Sequence, residues 1–352
     1  MKTISMVDLP ARHRQAADDV EARVLQVLRS GAYVGGSEVR AAEQTAARRF
    51  GRADAVGVNS GTDALVLALQ AVGVRAGHEV IVPALSFFAT AGAVRALGAV
   101  PVVVDVLEDG CMDPDAARHA LTGRTRAVVP VHLFGTMAPL PPVSVPVVDD
   151  AAQAVGGDPP RSVGVLTGLS TYPTKTWGGA GDGGFVVGDD ETLLALVRRQ
   201  ANHGLVDGVY RDLDGMPGGN SRLDAIQAAV LLGQEPWIAP RVAHRRALAT
   251  RYDAGLPTVV RPLPRDLGSP VQQYMVLLEE RERVRAALAD SGIETRVYYP
   301  RPLNREPAIA TQAHTPVADD LCARLLALPV HSALTTADVD HVLECLHRAV
   351  GR

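Results

Sequence analysis

Apolar residues recur at helical spacing in the first part of the chain and form short unbroken runs further on. The helical spacing predicts helices over 20–28, over 39–50 after a Gly35-Gly36 break with Ser37 as N-cap, and over 63–73. Runs rich in β-branched residues predict strands at 79–83, 100–106, 127–134, 145–150 and 183–188. Runs that are apolar on both faces and alternate with helices are typical of a buried, mostly parallel sheet. We therefore expect an α/β domain that extends to about residue 237.

The pattern changes beyond Pro236 and Pro240, which indicate a break or a long connecting helix. A smaller α+β unit is predicted from the elements that follow: a run at 274–278, a helix over 280–289, a run at 294–300, and a final helix over 336–350 that begins at a Thr-x-x-Asp cap near Thr336 and Asp338. The predicted domains are thus 1–237 and 238–352.

One connection in the first domain is unusually short. The segment 136–144, TMAPLPPVS, contains three prolines and links two predicted strands. A parallel crossover normally needs a dozen or more residues and a helix. We therefore expect an extended connection here.

Composition narrows the classes of protein. The 352 residues are 47% hydrophobic and 21% charged, with a net charge of −4, which is typical of a globular protein and offers no basic surface for nucleic acid. No long apolar stretch occurs, and Asp8 and Arg12 interrupt the N-terminus, so we expect no membrane span, no signal peptide and a cytoplasmic location. Cys111, Cys322 and Cys345 are scattered, which predicts reduced thiols and no metal site.

Lysine is scarce in this arginine-rich chain. Lys2 and Lys175 are the two lysines, and Lys175 lies in the glycine-rich stretch STYPTKTWGGAGDGG at 170–184. A lysine in a partly dry pocket has a lowered pKa and becomes a nucleophile for Schiff-base chemistry. Because arginine bias alone also reduces the number of lysines, scarcity by itself is weak evidence of a function.

Two further stretches are candidates for ligand contacts. After Val58, the sequence Ser60-Gly61-Thr62 opens a helix, where free N–H groups can bind phosphate. Phe87 and Phe88 follow a strand, at the edge where open α/β sheets bind ligands. Taken singly, a helix cap and ordinary core aromatics explain both features.

A third stretch carries charge. Asp149 and Asp150 end a predicted strand and are followed by Gln153, which suggests a carboxylate aimed at a cationic ligand nitrogen, although an Asp there also caps helices. A phosphate cradle, an aromatic, a strand-end Asp and a lysine occur in this order over about 115 residues. This order predicts a pyridoxal phosphate (PLP) site.

The chain resembles the DegT/DnrJ/EryC1/StrS family of sugar aminotransferases. Blocks similar to the family are VNSGTDALVLAL, HEVIVPALSFFATA, VPVHLFG, DDAAQAVGG, YPTKTWGGAGDGG and NSRLDAIQAAVL. The resemblance covers nearly the full chain. It implies the fold-type I architecture of PLP-dependent transferases, with a mostly parallel seven-stranded sheet in a large domain and a smaller C-terminal α+β domain.

The resemblance also implies a set of site residues. Lys175 would form the Schiff base with the cofactor, Asp150 would pair with the pyridine nitrogen, and Gln153 would contact the phenolic oxygen. The remaining residues would bind the cofactor or the sugar nucleotide: Phe87 stacked on the ring; Gly61, Thr62 and Ser170 at the phosphate; Asn220 reaching the phosphate from a neighbouring subunit of a homodimer with composite active sites; and Arg222, Tyr298 and Tyr299 in the sugar-nucleotide pocket.

The implied reaction moves an amino group from L-glutamate to a nucleotide-linked keto-sugar in amino-sugar biosynthesis, with a C3-keto UDP- or dTDP-sugar as the candidate acceptor and pyridoxamine phosphate as the intermediate. Many relatives have His where this chain has Tyr298, and His is also frequent at the position of Asn304. An aminocyclitol aminotransferase or a non-catalytic PLP-binding regulator are the alternatives.

Overall fold

A computed structural model of the protein describes residues 3–160, 164–206, 208–210, 218–309 and 311–351. The helices are α1 (Leu9–Gln15), α2 (Ala17–Ser30), α3 (Gly36–Phe50), α4 (Gly61–Ala71), α5 (Ala89–Ala96), α6 (Pro114–His119), α7 (Glu191–Gln200), α8 (Ala225–Gln234), α9 (Ile238–Gly255), α10 (Arg281–Asp290), α11 (Pro316–Arg324) and α12 (Thr336–Val350). The strands are β1 (Asp54–Val58), β2 (Glu79–Pro83), β3 (Val100–Val104), β4 (Thr125–Val128), β5 (Val148–Asp150), β6 (Leu166–Ser170), β7 (Gly184–Gly188), β8 (Leu205–Val206), β9 (Val209–Tyr210), β10 (Arg261–Pro262), β11 (Tyr274–Leu277) and β12 (Leu325–Leu328).

The large sheet runs in the order β1-β7-β6-β5-β4-β2-β3. Its two halves, β1-β7-β6-β5 and β3-β2-β4, meet through the parallel bridges Val128–Val147 and Val131–Asp150. All neighbours are parallel except β7, which is antiparallel to both β1 and β6. Every residue of β2, β6 and β7 is buried, because helices cover both faces of the sheet. The predicted α/β, fold-type I architecture is confirmed.

The C-terminal part of the chain has its own apolar core. Strands β10, β11 and β12 form an antiparallel sheet, and α9, α10 and α12 contribute buried residues to the core beside it. Ile4 from the N-terminal arm belongs to this core and bridges to Ile293. The arm therefore joins the C-terminal unit before α1 crosses to the large sheet.

Several element boundaries differ from the sequence predictions. Strand β6 was missed, because Leu-Thr-Gly-Leu-Ser lacks a β-branched run. The run at 294–300 was predicted as regular structure, but it pairs only through a bridge from Arg296 to Ala327. The predicted Ser37 cap is also wrong, since α3 begins at Gly36 with Gly35 as N-cap.

Two local predictions can be compared directly with the structure. Residues 136–144 contain no helix or strand, which confirms the extended connection. The last helix begins at Thr336 with Thr335 as its cap, in a reciprocal capping box with Asp338. Among the described residues, no helix combines the length and the apolar character that crossing a membrane requires.

Candidate active site

A cavity of about 1050 Å³ lies at the carboxyl edge of the large sheet. Strands β1, β2, β5 and β6 all end at this edge, as ligand sites in open α/β sheets do. The cavity wall also includes Met6 and Val7 from the N-terminal arm and Glu294 and Arg296 from the C-terminal unit. Nine of the predicted site residues line it: Gly61, Thr62, Phe87, Asp150, Gln153, Ser170, Lys175, Tyr298 and Tyr299.

The N-terminus of α4 forms one end of the cavity. Ser60 caps the helix by accepting a hydrogen bond from the Asp63 amide at 3.1 Å. A Cβ atom on Gly61 would lie 2.6 Å from Cβ of Ser170, so only glycine permits this approach of helix and strand. The free N–H groups of the first turn and the adjacent hydroxyls make a cradle suited to a phosphate dianion.

Asp150 lies at the end of β5 and is 6% exposed. Its Oδ2 accepts a hydrogen bond from Thr90 Oγ1 at 2.8 Å, and its Oδ1 accepts one from the Ala152 amide at 3.2 Å. Thr90 in turn contacts the Ser86 hydroxyl at 2.7 Å. This chain of hydroxyls fixes the carboxylate from behind and leaves it facing the cavity.

The neighbouring Asp149 points away from the cavity, as strand alternation requires. Its Oδ2 accepts hydrogen bonds from the Gly164 amide at 2.7 Å and from Thr167 Oγ1 at 2.9 Å. The two carboxylates that the sequence presents side by side therefore serve opposite faces of the sheet.

Lys175 reaches the cavity from a turn after β6. Burial lowers the pKa of its amine below the ordinary value, and the negative charge of Asp150 acts in the opposite direction. An amine with a lowered pKa is more readily deprotonated near neutral pH, which suits it to nucleophilic attack and to proton transfer. Its neighbour Trp177 has no such role, because it is fully buried, stacks on Phe185 and donates to the Leu231 carbonyl at 2.8 Å.

Gln153 bridges two walls of the cavity. Its Oε1 accepts a hydrogen bond from the Phe134 amide at 2.7 Å, and its Nε2 donates to the Tyr299 hydroxyl at 3.3 Å. Burial raises the pKa of Tyr299, so the phenol stays protonated. Phe87 is 59% exposed at the cavity, with its ring centroid 6.1 Å from that of Tyr299. An exposed aromatic above a cavity floor is available to stack on a flat ring.

Asn220 and Arg222 lie outside this cavity. Asn220 is exposed and bridges to Asn202, and Arg222 donates to Asn202 Oδ1 at 2.8 Å beside a separate cavity. The sequence NSRLDAIQAAVL predicts a helix start at Asn220 or Ser221, and this prediction is wrong, since α8 begins at Ala225 with Asp224 as N-cap. Within one chain, the structure does not bring these two side chains to Lys175.

Sequence reasoning missed several residues that support the site. Thr90 holds Asp150, Arg12 and Gln272 hold the Lys175 turn, and Arg296 lines the cavity wall. Only Thr90 had a sequence signal, since it follows the two phenylalanines by less than one helical turn. The other contacts join positions that are far apart in the chain, so no local pattern could have found them.

The donor set fits pyridoxal phosphate. A helix-start cradle, a fixed carboxylate, an amine, an amide and an exposed aromatic surround one cavity, and the close packing of Gly61 on Ser170 shapes the phosphate end. These groups match the phosphate, the ring nitrogen, the aldehyde, the phenolic oxygen and the ring face of that cofactor.

Comparisons with known proteins agree with this geometry. The sequence model of the DegT/DnrJ/EryC1/StrS aminotransferase family matches residues 14–347. The chain is 34% identical to a UDP-2-acetamido-2-deoxy-3-oxo-D-glucuronate aminotransferase of Pseudomonas aeruginosa, over 97% of this chain and 99% of the relative. It is 36% identical to a UDP-N-acetyl-3-dehydro-alpha-D-glucosamine 3-aminotransferase of Acidithiobacillus ferrooxidans, over 99% of this chain and 98% of the relative.

A solved structure from Bacillus subtilis, ntda with its bound cofactor PMP, superposes on this fold. Its TM-score is 0.93 at 25% identity, and the match covers 100% of this chain and 86% of that one.

Proposed function

The chain belongs to the DegT/DnrJ/EryC1/StrS aminotransferase family, and from this premise we propose that it moves an amino group from L-glutamate to C3 of a UDP-linked 3-keto-sugar. The prediction of an aminotransferase is confirmed by its relatives, and the names of those relatives support a nucleotide-linked sugar as the acceptor. PLP is the cofactor of the family. The single observation that carries the proposal is the convergence of Lys175, Asp150 and Gln153 on one cavity.

The choice of acceptor rests on the relatives. The two relatives described above are both named for UDP-sugars oxidised at C3. The cavity is large enough for a cofactor together with a sugar, since a typical ligand site encloses about 300–1,000 Å³. Arg296 and Lys175 contribute positive charge to a cavity lining that also carries Asp150, Asp182 and Glu294.

PLP, when bound, supplies an electron sink that stabilises negative charge at the amino donor's α-carbon. Asp150 would hold the ring nitrogen in its protonated form, because an adjacent carboxylate favours the charged state of a base. Thr90 keeps that carboxylate oriented through its 2.8 Å hydrogen bond. Lys175 would bind the cofactor covalently and, once released, its Nζ would move a proton to and from the donor's α-carbon.

The other residues bind and orient. The first turn of α4, Gly61, Thr62 and Ser170 would hold the phosphate. Gln153, fixed by the Phe134 amide and by Tyr299, would direct its amide N–H groups toward the phenolic oxygen. Phe87 would cover one ring face and exclude water, and Tyr298 and Tyr299 would line the space for the sugar.

We also propose that the protein forms a homodimer whose active sites combine residues of both copies. Asn220 and Arg222 are outside the Lys175 cavity of their own chain. Apolar side chains are exposed on α2 and on the segment after it (Leu25, Leu28, Tyr33 and Val34). We expect that Asn220 and Arg222 reach the cavity of a second copy. Co-expressed Lys175→Ala and Asn220→Ala chains should then regain about one quarter of wild-type activity, because about half of the dimers are hybrids and each hybrid has one of its two sites intact. Activity no higher than that of either variant alone would contradict a composite site.

The function is tested by incubating the purified protein with glutamate and three acceptors: a UDP-3-keto-sugar, the dTDP counterpart and a keto-inositol. Mass spectrometry should detect the amino product from the UDP-sugar first. Lys175→Ala should abolish turnover and the visible absorbance of the lysine-bound cofactor. Preferred turnover of keto-inositol would support the aminocyclitol alternative. Cofactor binding without any turnover would support the regulator.

A further inference from the structure

The turn that carries Lys175 lies outside the sheet and is held from two sides. Within the turn itself, the Lys175 amide donates to the Tyr172 carbonyl at 2.8 Å, and the Gly179 amide donates to the Thr171 carbonyl at 2.8 Å. A lysine side chain has four flexible methylene groups, so the position of its amine depends on how firmly its backbone is fixed. The contacts that fix it come from other parts of the chain.

Arg12 of α1 holds the turn on one side. Its Nη1 donates to the carbonyls of Pro173 at 2.7 Å and of Lys175 at 2.8 Å, and its Nη2 donates to the Gly178 carbonyl at 2.9 Å. One planar guanidinium thus gathers three carbonyls along the turn, including that of Lys175 itself. The rigid fork of arginine suits this geometry better than a lysine ammonium would.

Gln272, just before β11, holds the turn on the other side. Its Oε1 accepts hydrogen bonds from the Thr176 amide at 3.0 Å and from Thr176 Oγ1 at 2.8 Å, while its Nε2 donates to the Thr174 carbonyl at 3.0 Å. The residues on either side of Lys175 are therefore tied to one buried amide. Gln272 also donates its own amide to the Phe134 carbonyl at 3.0 Å, beside the Phe134 N–H that fixes Gln153.

Helix α9 supports both contacts. Arg241 Nη2 donates to the Arg12 carbonyl at 3.0 Å, and Arg245 Nη1 donates to the Gln272 carbonyl at 3.2 Å. The two arginines are four residues apart and so lie on the same face of the helix. Burial, together with repulsion from Arg241 and Arg245, lowers the pKa of Arg12 to about 9, which still leaves it protonated at neutral pH.

We propose that Arg12 and Gln272 are positioning residues of Lys175, which present its amine to the cofactor only when the N-terminal arm and the C-terminal unit are docked on the large sheet. This proposal rests on the proposed role of Lys175 as the cofactor-bound lysine. The N-terminal arm and the C-terminal unit also form part of the cavity wall, through Val7 and Tyr298, so both segments complete the site. A misplacement of about 1 Å in such a site can lower the rate about a hundred-fold.

The test compares Arg12→Met and Gln272→Met with Arg14→Met, a change at an exposed arginine of the same helix α1. Gln272→Met nearly keeps the size of the side chain, removes its contacts with Thr174 and Thr176, and brings no charge near Lys175. Two readouts are taken: kcat and KM with glutamate on the loaded enzyme, and the pKa of Lys175 in the full-length chain without cofactor. The pKa is read from carbon-13 signals after reductive methylation, which labels the N-terminus and the two lysines, Lys2 and Lys175.

We expect kcat to fall about ten- to a hundred-fold with KM for glutamate nearly unchanged, because the amine is misplaced while the substrate walls remain. The pKa of Lys175 should rise toward its ordinary value in both variants, since a loosened turn admits water and weakens the desolvation. Gln272→Met changes no charge, so its rise separates this effect from the loss of the Arg12 charge. Arg12→Lys should give a kcat and a Lys175 pKa that are closer to those of the wild type than Arg12→Met gives.

Unchanged kcat and an unchanged Lys175 pKa in both variants would overturn the proposal. A lowered melting temperature with the Lys175 pKa unchanged would also overturn it, because that result describes a purely structural contact. If the wild-type enzyme itself lacks transamination, the proposed function fails, whereas the Lys175 pKa in the cofactor-free chain still decides whether the two residues position the amine.

Discussion

Gly61 and Ser170 pack so closely that a methyl group on Gly61 would lie 2.6 Å from Cβ of Ser170. This contact joins the start of α4 to the end of β6 at the phosphate end of the cavity. Both residues were predicted as phosphate contacts by family resemblance. The structure adds the reason that the first position is glycine.

Gly61→Ala should weaken PLP binding at least ten-fold, because the added methyl group forces the helix start away from the strand and opens the cradle. The measurement is the dissociation constant of PLP for the cofactor-free protein. Gly123→Ala is the matched control, since a Cβ there meets no atom within 4 Å. Equal PLP affinities of the two variants would contradict the cradle.

Thr90→Val should slow the reaction with glutamate about ten- to a hundred-fold, because a hydrogen bond to a charged group contributes about 1.5–3 kcal/mol. Valine has nearly the shape of threonine and removes the donor to Asp150 together with the contact to the Ser86 hydroxyl. Single-turnover kinetics with glutamate give the rate. Thr250→Val, at an exposed helical threonine that bonds the Arg246 carbonyl, should leave it unchanged.

Asp150→Asn should lower the pKa of Lys175 further in the cofactor-free chain. The charge of Asp150 stabilises the lysine ammonium, so its removal leaves the effect of burial unopposed and the amine loses its proton at lower pH. Carbon-13 methylation of the lysines follows the titration. Asp182→Asn, at another acid that lines the cavity, should leave the pKa in place. A rise of the Lys175 pKa in Asp150→Asn would show that the sign is wrong.

Phe87→Leu should raise the PLP dissociation constant about three- to ten-fold, because an aromatic contact contributes about 0.5–1.5 kcal/mol beyond burial. Phe88→Leu provides the comparison, since Phe88 is 41% exposed and packs near Gly92 away from the cavity. Titration of the cofactor-free proteins measures both constants. A stronger effect at Phe88 would exclude the stacking role of Phe87.

The sequence predicted the elements with strong local signals. Strand β2, helix α4 and the capping pair at α12 follow from apolar runs and cap residues. Strand β6 was not predicted, because its Thr, Gly and Ser residues form no apolar run. It is buried because α4 and β7 pack against it.

The candidate site likewise contains residues that the sequence predicted and contacts that it did not. Asp150 and Gln153 were predicted from the end of a strand and Lys175 from a glycine-rich stretch, and the family resemblance implied their roles. The hydrogen bonds that hold the Lys175 turn come from Arg12 and Gln272, which are 163 residues before Lys175 and 96 residues after Thr176. Contacts of this kind are set by tertiary packing and leave no local pattern.

Strand β5 presents one aspartate to each face of the sheet, so its own sequence does not determine which aspartate faces the cavity. If β5 paired one residue out of register, Asp149 would turn toward the cavity face and Asp150 away from it, and a carboxylate would still lie on the cavity face. In the observed register, the Gly164 amide and the Thr167 hydroxyl both donate to Asp149, and these two hydrogen bonds favour the pairing that leaves Asp150 in the cavity. Asp149, which contacts no cavity, therefore helps to determine which of the two acids becomes the one in the active site.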